Sequence, residues 1–180
     1  MEKILVAYST WAGATHQVAD EIARQLRTHG VEVAVASVGD VKDISAFQAI
    51  ITGSSIHAGQ TNGAFKRFLR KFKKQLSAKP VSVFAVCANM SEENPRARKE
   101  TLGWLNKTLE KFPSIKPVSI GLFGGAVITE GEDFQKLNFM FRKVVASMKD
   151  TLSKDHGKSD FRDWDAIRAW ADEAYHLLSK

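Results

Sequence analysis

The feature that most limits what this chain can become is its opening. An apolar run over residues 3–8 passes through Ser9-Thr10-Trp11-Ala12-Gly13-Ala14-Thr15 and straight into a helical pattern. A strand with no polar alternation is expected where helices cover both faces of a parallel sheet. The turn after it is rich in hydroxyls and holds one glycine. It falls where a helix presents unpaired N–H groups and the positive end of its dipole. That combination suits a phosphate, although Ser/Thr-rich turns also serve as ordinary helix caps.

The alternation continues along the chain. Val18, Ala19, Ile22, Ala23 and Leu26 recur at helical spacing over 14–28, with Gly30 as terminator. Residues 31–37 alternate as an edge strand does, 39–46 are too short for a full helix, and 47–53 form a third strand ending in a loop over 54–59. A helix over 62–76 places Phe65, Phe68, Leu69, Phe72 and Leu76 on one side. Pro80 precedes a fourth strand over 81–88, and its loop runs to Asn94-Pro95. Leu102, Leu105, Leu109 and Phe112 mark a helix over 97–112. A fifth strand covers 118–128, interrupted by Gly124-Gly125. Phe134, Leu137, Phe141, Val144, Val145, Met148 and Leu152 predict one amphipathic helix over 133–152. A polar break follows at 154–158, and Asp163 caps a last helix over 164–178. The expectation is a single α/β domain over 1–180. It is a doubly wound five-stranded parallel sheet in the order 2-1-3-4-5, with an extra amphipathic helix before the C-terminal one.

Composition narrows the function classes. The chain has 180 residues, 44% hydrophobic and 26% charged, which excludes global disorder. A single cysteine excludes an intrachain disulfide and a cysteine metal cluster, and no metal site is expected. No apolar stretch approaches the roughly 20 residues of a membrane span, and the opening octapeptide lacks the length and cleavage site of a signal peptide. A cytoplasmic protein is expected. The net charge is +6, and Lys66, Arg67, Arg70, Lys71, Lys73, Lys74 and Lys79 cluster without an acidic neighbour. Subtracting those seven charges leaves the rest of the chain near −1, so the basicity is local. No aromatic residue interleaves the basic face, and no nucleic-acid partner is expected.

In this topology a ligand sits beyond the carboxyl ends of strands one and three. The 9–15 turn and the 54–59 loop converge there, beside the 88–94 loop. Three closely spaced glycines would mark a dinucleotide site, and Gly-Lys-Ser/Thr a triphosphate loop; the chain has neither. No lysine or arginine lies between Ile4 and Ala23. Phosphate binding here must use neutral donors and the helix dipole, which favours a monophosphate.

Tyr8-Ser9-Thr10-x-x-Gly13-x-Thr15 resembles the phosphate loop of flavodoxins. The 4–15 segment, Gly53-Ser54-Ser55-Ile56-His57-Ala58-Gly59, Gly124-Gly125-Ala126 and Asp163-Trp164-Asp165 resemble, more closely, the flavodoxin-type menaquinone-dependent protoporphyrinogen dehydrogenases. The resemblance implies non-covalent flavin mononucleotide (FMN), with Ser9, Thr10, Trp11, Ala12, Gly13, Ala14 and Thr15 around its phosphate. It implies that Ser55, Ile56, His57, Ala58 and Gly59 border the flavin ring with Ala88, Asn89, Met90 and Ser91. The implied activity is oxidation of protoporphyrinogen IX to protoporphyrin IX with a quinone as acceptor. An electron-transfer flavodoxin serving redox proteins, and a flavin-free binding domain, are the alternatives.

Carrier flavodoxins often hold the ring between a tryptophan and a tyrosine and are acidic. This chain supplies Ile56, His57, Asn89 and Met90 there and is basic. No catalytic residue is assigned; His57 is the candidate for stabilising reduced flavin or relaying a proton, against an ordinary loop histidine. Cys87, inside an apolar strand, is read as a buried residue. The helix over 133–152 is read first as packing on the core. Its Phe139 and Met140, bordered by Lys136, Arg142, Lys143 and Lys149, would alternatively rest peripherally on an anionic membrane or meet the porphyrin.

Overall fold

The computed structural model describes residues 3–91 and 94–180; residues 1 and 2, and 92 and 93 of the loop expected over 88–94, lie outside the described residues. β1 (Lys3–Ser9) pairs in parallel with β2 (Glu32–Ser37) on one side and β3 (Ala49–His57) on the other. The two-residue β4 (Gln60–Thr61) folds back antiparallel on β3. β5 (Val81–Cys87) and β6 (Ser119–Gly124) complete the parallel set in the order β2-β1-β3-β5-β6. With the β4 hairpin set aside, this is the expected 2-1-3-4-5 sheet. The helices are α1 (Ala14–Arg27), α2 (Gly63–Lys71), α3 (Lys73–Leu76), α4 (Pro95–Leu109), α5 (Glu132–Gln135), α6 (Phe139–His156) and α7 (Trp164–Leu178).

Successive strand residues point to opposite faces, so a strand covered on both must be apolar throughout. On one face, Val18, Ile22 and Leu26 of α1 and Ile167, Trp170 and Ala174 of α7 pack against Ile4, Val6, Ile51 and Phe84. On the other, Phe65, Phe68, Leu69 and Leu105 cover Leu5, Ile50, Val83 and Ala85. Gly53 is required by this packing, because a Cβ there would lie 2.3 Å from the Phe84 ring. The only cysteine, Cys87, is buried at the carboxyl end of β5, and burial pushes its thiol pKa up.

Several boundaries differ from the sequence reading. β3 runs on to His57 instead of ending at Gly53, since pairing with β5 as far as Ser55↔Val86 overrides the weak strand preference of glycine and serine. Ala58 and Gly59, at φ 47° and 70°, then make a tight two-residue hairpin turn into β4. The helix over 62–76 breaks at Phe72, whose φ of −104° is not helical. β6 stops at Gly124, where a Cβ would stand 2.0 Å from the carbonyl oxygen of Phe161. The helix over 133–152 is two helices: Asn138 leaves helical geometry and its side chain accepts from the Phe141 N–H at 3.0 Å, starting α6 anew. α6 also continues through the start of the expected polar break and ends at Gly157, at φ 68°. The final helix begins as expected, with Asp163 accepting from the Ala166 N–H at 2.9 Å.

Candidate functional site

The turn after β1 is built to receive an acceptor. Gly13 opens α1 at φ 105°, a left-handed conformation that L side chains rarely adopt, and no side chain caps the helix there. The Gly13 N–H donates to Thr10 Oγ1 at 2.9 Å, folding the turn on itself. Ser9 and Thr15 are 3% and 1% exposed, and neither hydroxyl has a hydrogen-bond partner. A buried hydroxyl left unpaired costs about 1–3 kcal/mol. Two of them under one helix N-terminus, with no basic side chain in the loop, match the chemistry of a phosphate held by neutral donors. The unpartnered hydroxyls of Thr52 and Ser82 lie within β3 and β5, apart from this turn.

Beside the turn is a chamber of about 90 Å³ with a mostly apolar lining. Thr10, Trp11, Ala12, Ala14 and Thr15 form one wall and Ser55, Ile56 and His57 of β3 another. Val86, Ala88 and 125–127 form the floor, joined by Ser159 and Phe161. Val145, Met148 and Leu152 of α6 also line it, and the chamber is only partly enclosed. Trp11 and His57 lie face to face at a tilt of 32° with ring centroids 4.4 Å apart, and Phe141 meets Trp11 edge-on at 6.1 Å.

The turn after β1 is also tied to α5. Asp133 Oδ2 lies 2.7 Å from His16 Nδ1, and its Cβ is 3.6 Å from where a Gly13 Cβ would be. The Tyr8 ring stacks on His16 at 4.3 Å. Burial, with Asp133 adding to it, pushes the Tyr8 hydroxyl up to about 12, so it stays a neutral phenol under the turn at ordinary pH.

Of the residues singled out in the sequence, Thr10, Trp11, Ala12, Ala14, Thr15, Ser55, Ile56, His57 and Ala88 meet around the chamber. Ser9 and Gly13 support the turn from below and at the helix start. Ala58 and Gly59 turn away into the hairpin, where Gly59 packs against Trp104. Asn89 faces α4, its amide donating to the Ala97 carbonyl at 3.1 Å and Thr101 Oγ1 at 3.2 Å. Met90 is buried in the core, and Ser91 lines a neighbouring cleft with Asn89. Sequence reasoning missed Val145, Met148 and Leu152 as chamber walls and Asp133 as partner of His16. The i, i+3, i+7 spacing of the three apolar residues marks one helix face, but nothing in it says what that face covers. Among the described residues there is no cluster of three metal-ligating side chains.

This sheet order, with a lysine-free, hydroxyl-rich turn after β1 and a chamber at the switch point, defines a flavodoxin-type protein. Residues 5–159 match the family model described as a flavodoxin domain, and the chain belongs to that family. It is 28% identical over 180 residues to the protoporphyrinogen IX dehydrogenase [quinone] of Leishmania major, covering 95% of this chain and 74% of that one. Over 181 residues it is 23% identical to the protein of the same name from Escherichia coli strain K12, covering 99% and 97%. The structure of a cysteine-to-serine mutant of flavodoxin from Pseudomonas aeruginosa superposes with a TM-score of 0.57 at 13% identity, covering 99% of each chain.

Proposed function

We propose that this chain is an FMN-dependent oxidoreductase that oxidises protoporphyrinogen IX to protoporphyrin IX and passes the electrons to a quinone. The observation that carries the flavin assignment is the pair of buried, unpartnered hydroxyls, Ser9 at the end of β1 and Thr15 in the first turn of α1, on either side of the left-handed Gly13. The substrate assignment is supported by the two relatives of that name, each aligned along nearly all of this chain.

In this reading 9–15 hold the phosphate, while Ser55, Ile56, His57 and Ala88 border the ring. When bound, the flavin supplies the hydride and electron chemistry. Trp11 holds the His57 imidazole at the chamber wall, where it can hold or move a proton. The apolar walls from Ile56, Val86 and α6 exclude water. Hydrogen leaves the porphyrinogen as protons and electrons, and the quinone takes up both to become quinol.

A peripheral membrane contact belongs to the same proposal. Phe139 and Met140 are 63% and 76% exposed, with Phe141 and Val144 beside them. Lys143 lies over the Phe139 ring, and Lys136 stands a turn away. An apolar face with a basic border suits an anionic bilayer surface, where a lipid-soluble quinone is available. Among the described residues no helix is long and apolar enough to cross a membrane.

Anaerobic assay with protoporphyrinogen IX and a menaquinone analogue tests the reading. Substrate-dependent quinone reduction is expected. A protein that binds FMN but shows no such turnover is an electron carrier instead, a reading that the flavodoxin likeness favours.

A further inference from the structure

The chamber is too small for what it is proposed to hold. It encloses about 90 Å³, whereas small-molecule sites run to roughly 300–1,000 Å³. α6 contributes Val145, Met148 and Leu152 to its lining, beside the 10–15 turn and His57. Leu152 and Ala88 line both the chamber and the open groove beside Asn89.

α6 is held lightly for a helix in such a position. Val145 is its one buried residue among those described, and Phe139, Met140, Phe141 and Val144 are exposed. Its ends are jointed. Residues 136–138 break the helical run before it, and Gly157 follows at φ 68° with no atom within 4 Å of a would-be Cβ. On either side of these joints the chain is anchored. Phe134 is buried and Asp133 pairs with His16 before the first. After the second, the Val127 N–H donates to the Ser159 carbonyl at 2.9 Å and the Phe161 N–H to the Gly125 carbonyl at 3.0 Å. Side-chain contacts hold α6 down toward its start and middle: Phe141 meets Trp11, Arg142 Nη1 donates to Gln135 Oε1 of α5 at 3.0 Å across the first joint, and Lys149 Nζ donates to Thr129 Oγ1 at 2.9 Å.

We propose that α6 is a hinged lid over the flavin chamber, swinging on 136–138 and Gly157 to admit FMN and closing Val145, Met148 and Leu152 over it. The proposal rests on the flavin reading above. Binding through a rarely open state lowers the association rate by the open fraction, and anything that loosens the lid returns that factor. A closed lid also removes water from the chamber, which strengthens the electrostatics inside it.

Stopped-flow quenching of FMN fluorescence tests this with the wild-type chain, a Met148→Ala/Leu152→Ala double variant and Lys149→Met. The double variant opens the chamber from inside. Lys149→Met releases a restraint that lies outside the chamber, and circular dichroism checks that both variants are folded. For the wild type, the observed rate is expected to level off with rising FMN concentration at the rate of lid opening. The variants are expected to associate at least about tenfold faster, in step with a larger open population. A wild-type rate linear in FMN and matched by both variants overturns the lid while leaving the flavin reading intact. Failure of all three proteins to quench FMN at any concentration overturns both.

Discussion

The smallest features of the site make the sharpest claims. Thr15→Val removes a buried hydroxyl that has no partner in the free protein and keeps nearly the same shape. The free protein is expected to gain about 1 kcal/mol from losing that unpaired group. The same change is expected to weaken FMN roughly tenfold, the loss of one hydrogen bond to a charged acceptor. Opposite signs in a urea titration and an FMN titration separate a ligand-binding hydroxyl from a structural one. Away from the site, hydrogen bonds from Arg24 and then Arg168 hold the Glu21 carboxyl at about 2 against an ordinary 4.5, while partial burial opposes them. The folded pKa is depressed, so this stabilisation is present above pH 4.5 and is lost as pH falls from there toward 2. Urea midpoints across that window are expected to fall less steeply for Glu21→Gln than for wild type. The hydroxyl turn was readable from spacing alone, because a strand, a glycine and a helix start are all local features. The His16–Asp133 pair was not, since it spans 117 residues and depends on where α5 lands.

At the scale of elements, strands and caps followed the sequence closely where local chemistry decides. Asp163 and Gly30 mark real ends, and α7 has its expected span. The failures in the helices come from periodicity. The apolar repeat runs in phase across 136–138, so periodicity reads one helix where an asparagine cap makes two. Periodicity also reads burial into every apolar position. Phe134 and Val145 obey, but Phe141 and Val144 are exposed, so packing on the core accounts for only part of the stripe. The same helix thus turns Val145, Met148 and Leu152 inward and Met140 and Val144 outward. For the outward face, each basic residue near an anionic bilayer contributes about 1 kcal/mol. Lys136→Glu/Lys143→Glu is therefore expected to reduce co-sedimentation with phosphatidylserine vesicles at least roughly tenfold, and added salt is expected to weaken wild-type binding. Binding unchanged by either would remove the membrane contact.

The whole molecule is organised by one sheet with a core on each face, and this was the most legible level. Apolar runs without alternation can hardly be anything but strands covered on both sides. What spacing could not convey is how the strands interlock. Phe84 occupies the space that a side chain at Gly53 would need, and it meets Phe123 and Trp170 on the α7 side. Phe84→Ala, at a fully buried position, is expected to cost about 3–5 kcal/mol in denaturant unfolding. For a chain of this length that lowers the melting temperature by roughly 10 °C. The expected loss is large because the cavity would open between two strands and a helix that cannot all close on it.

The burial of Cys87 has a consequence for a protein of this family. The chain's single sulfhydryl lies under the loop that adjoins the chamber, kept protonated and out of contact with solvent. Thiolate, not thiol, attacks disulfides and peroxides. This thiol is therefore poorly placed to trap an oxidant or to couple covalently to another copy while the chain is folded.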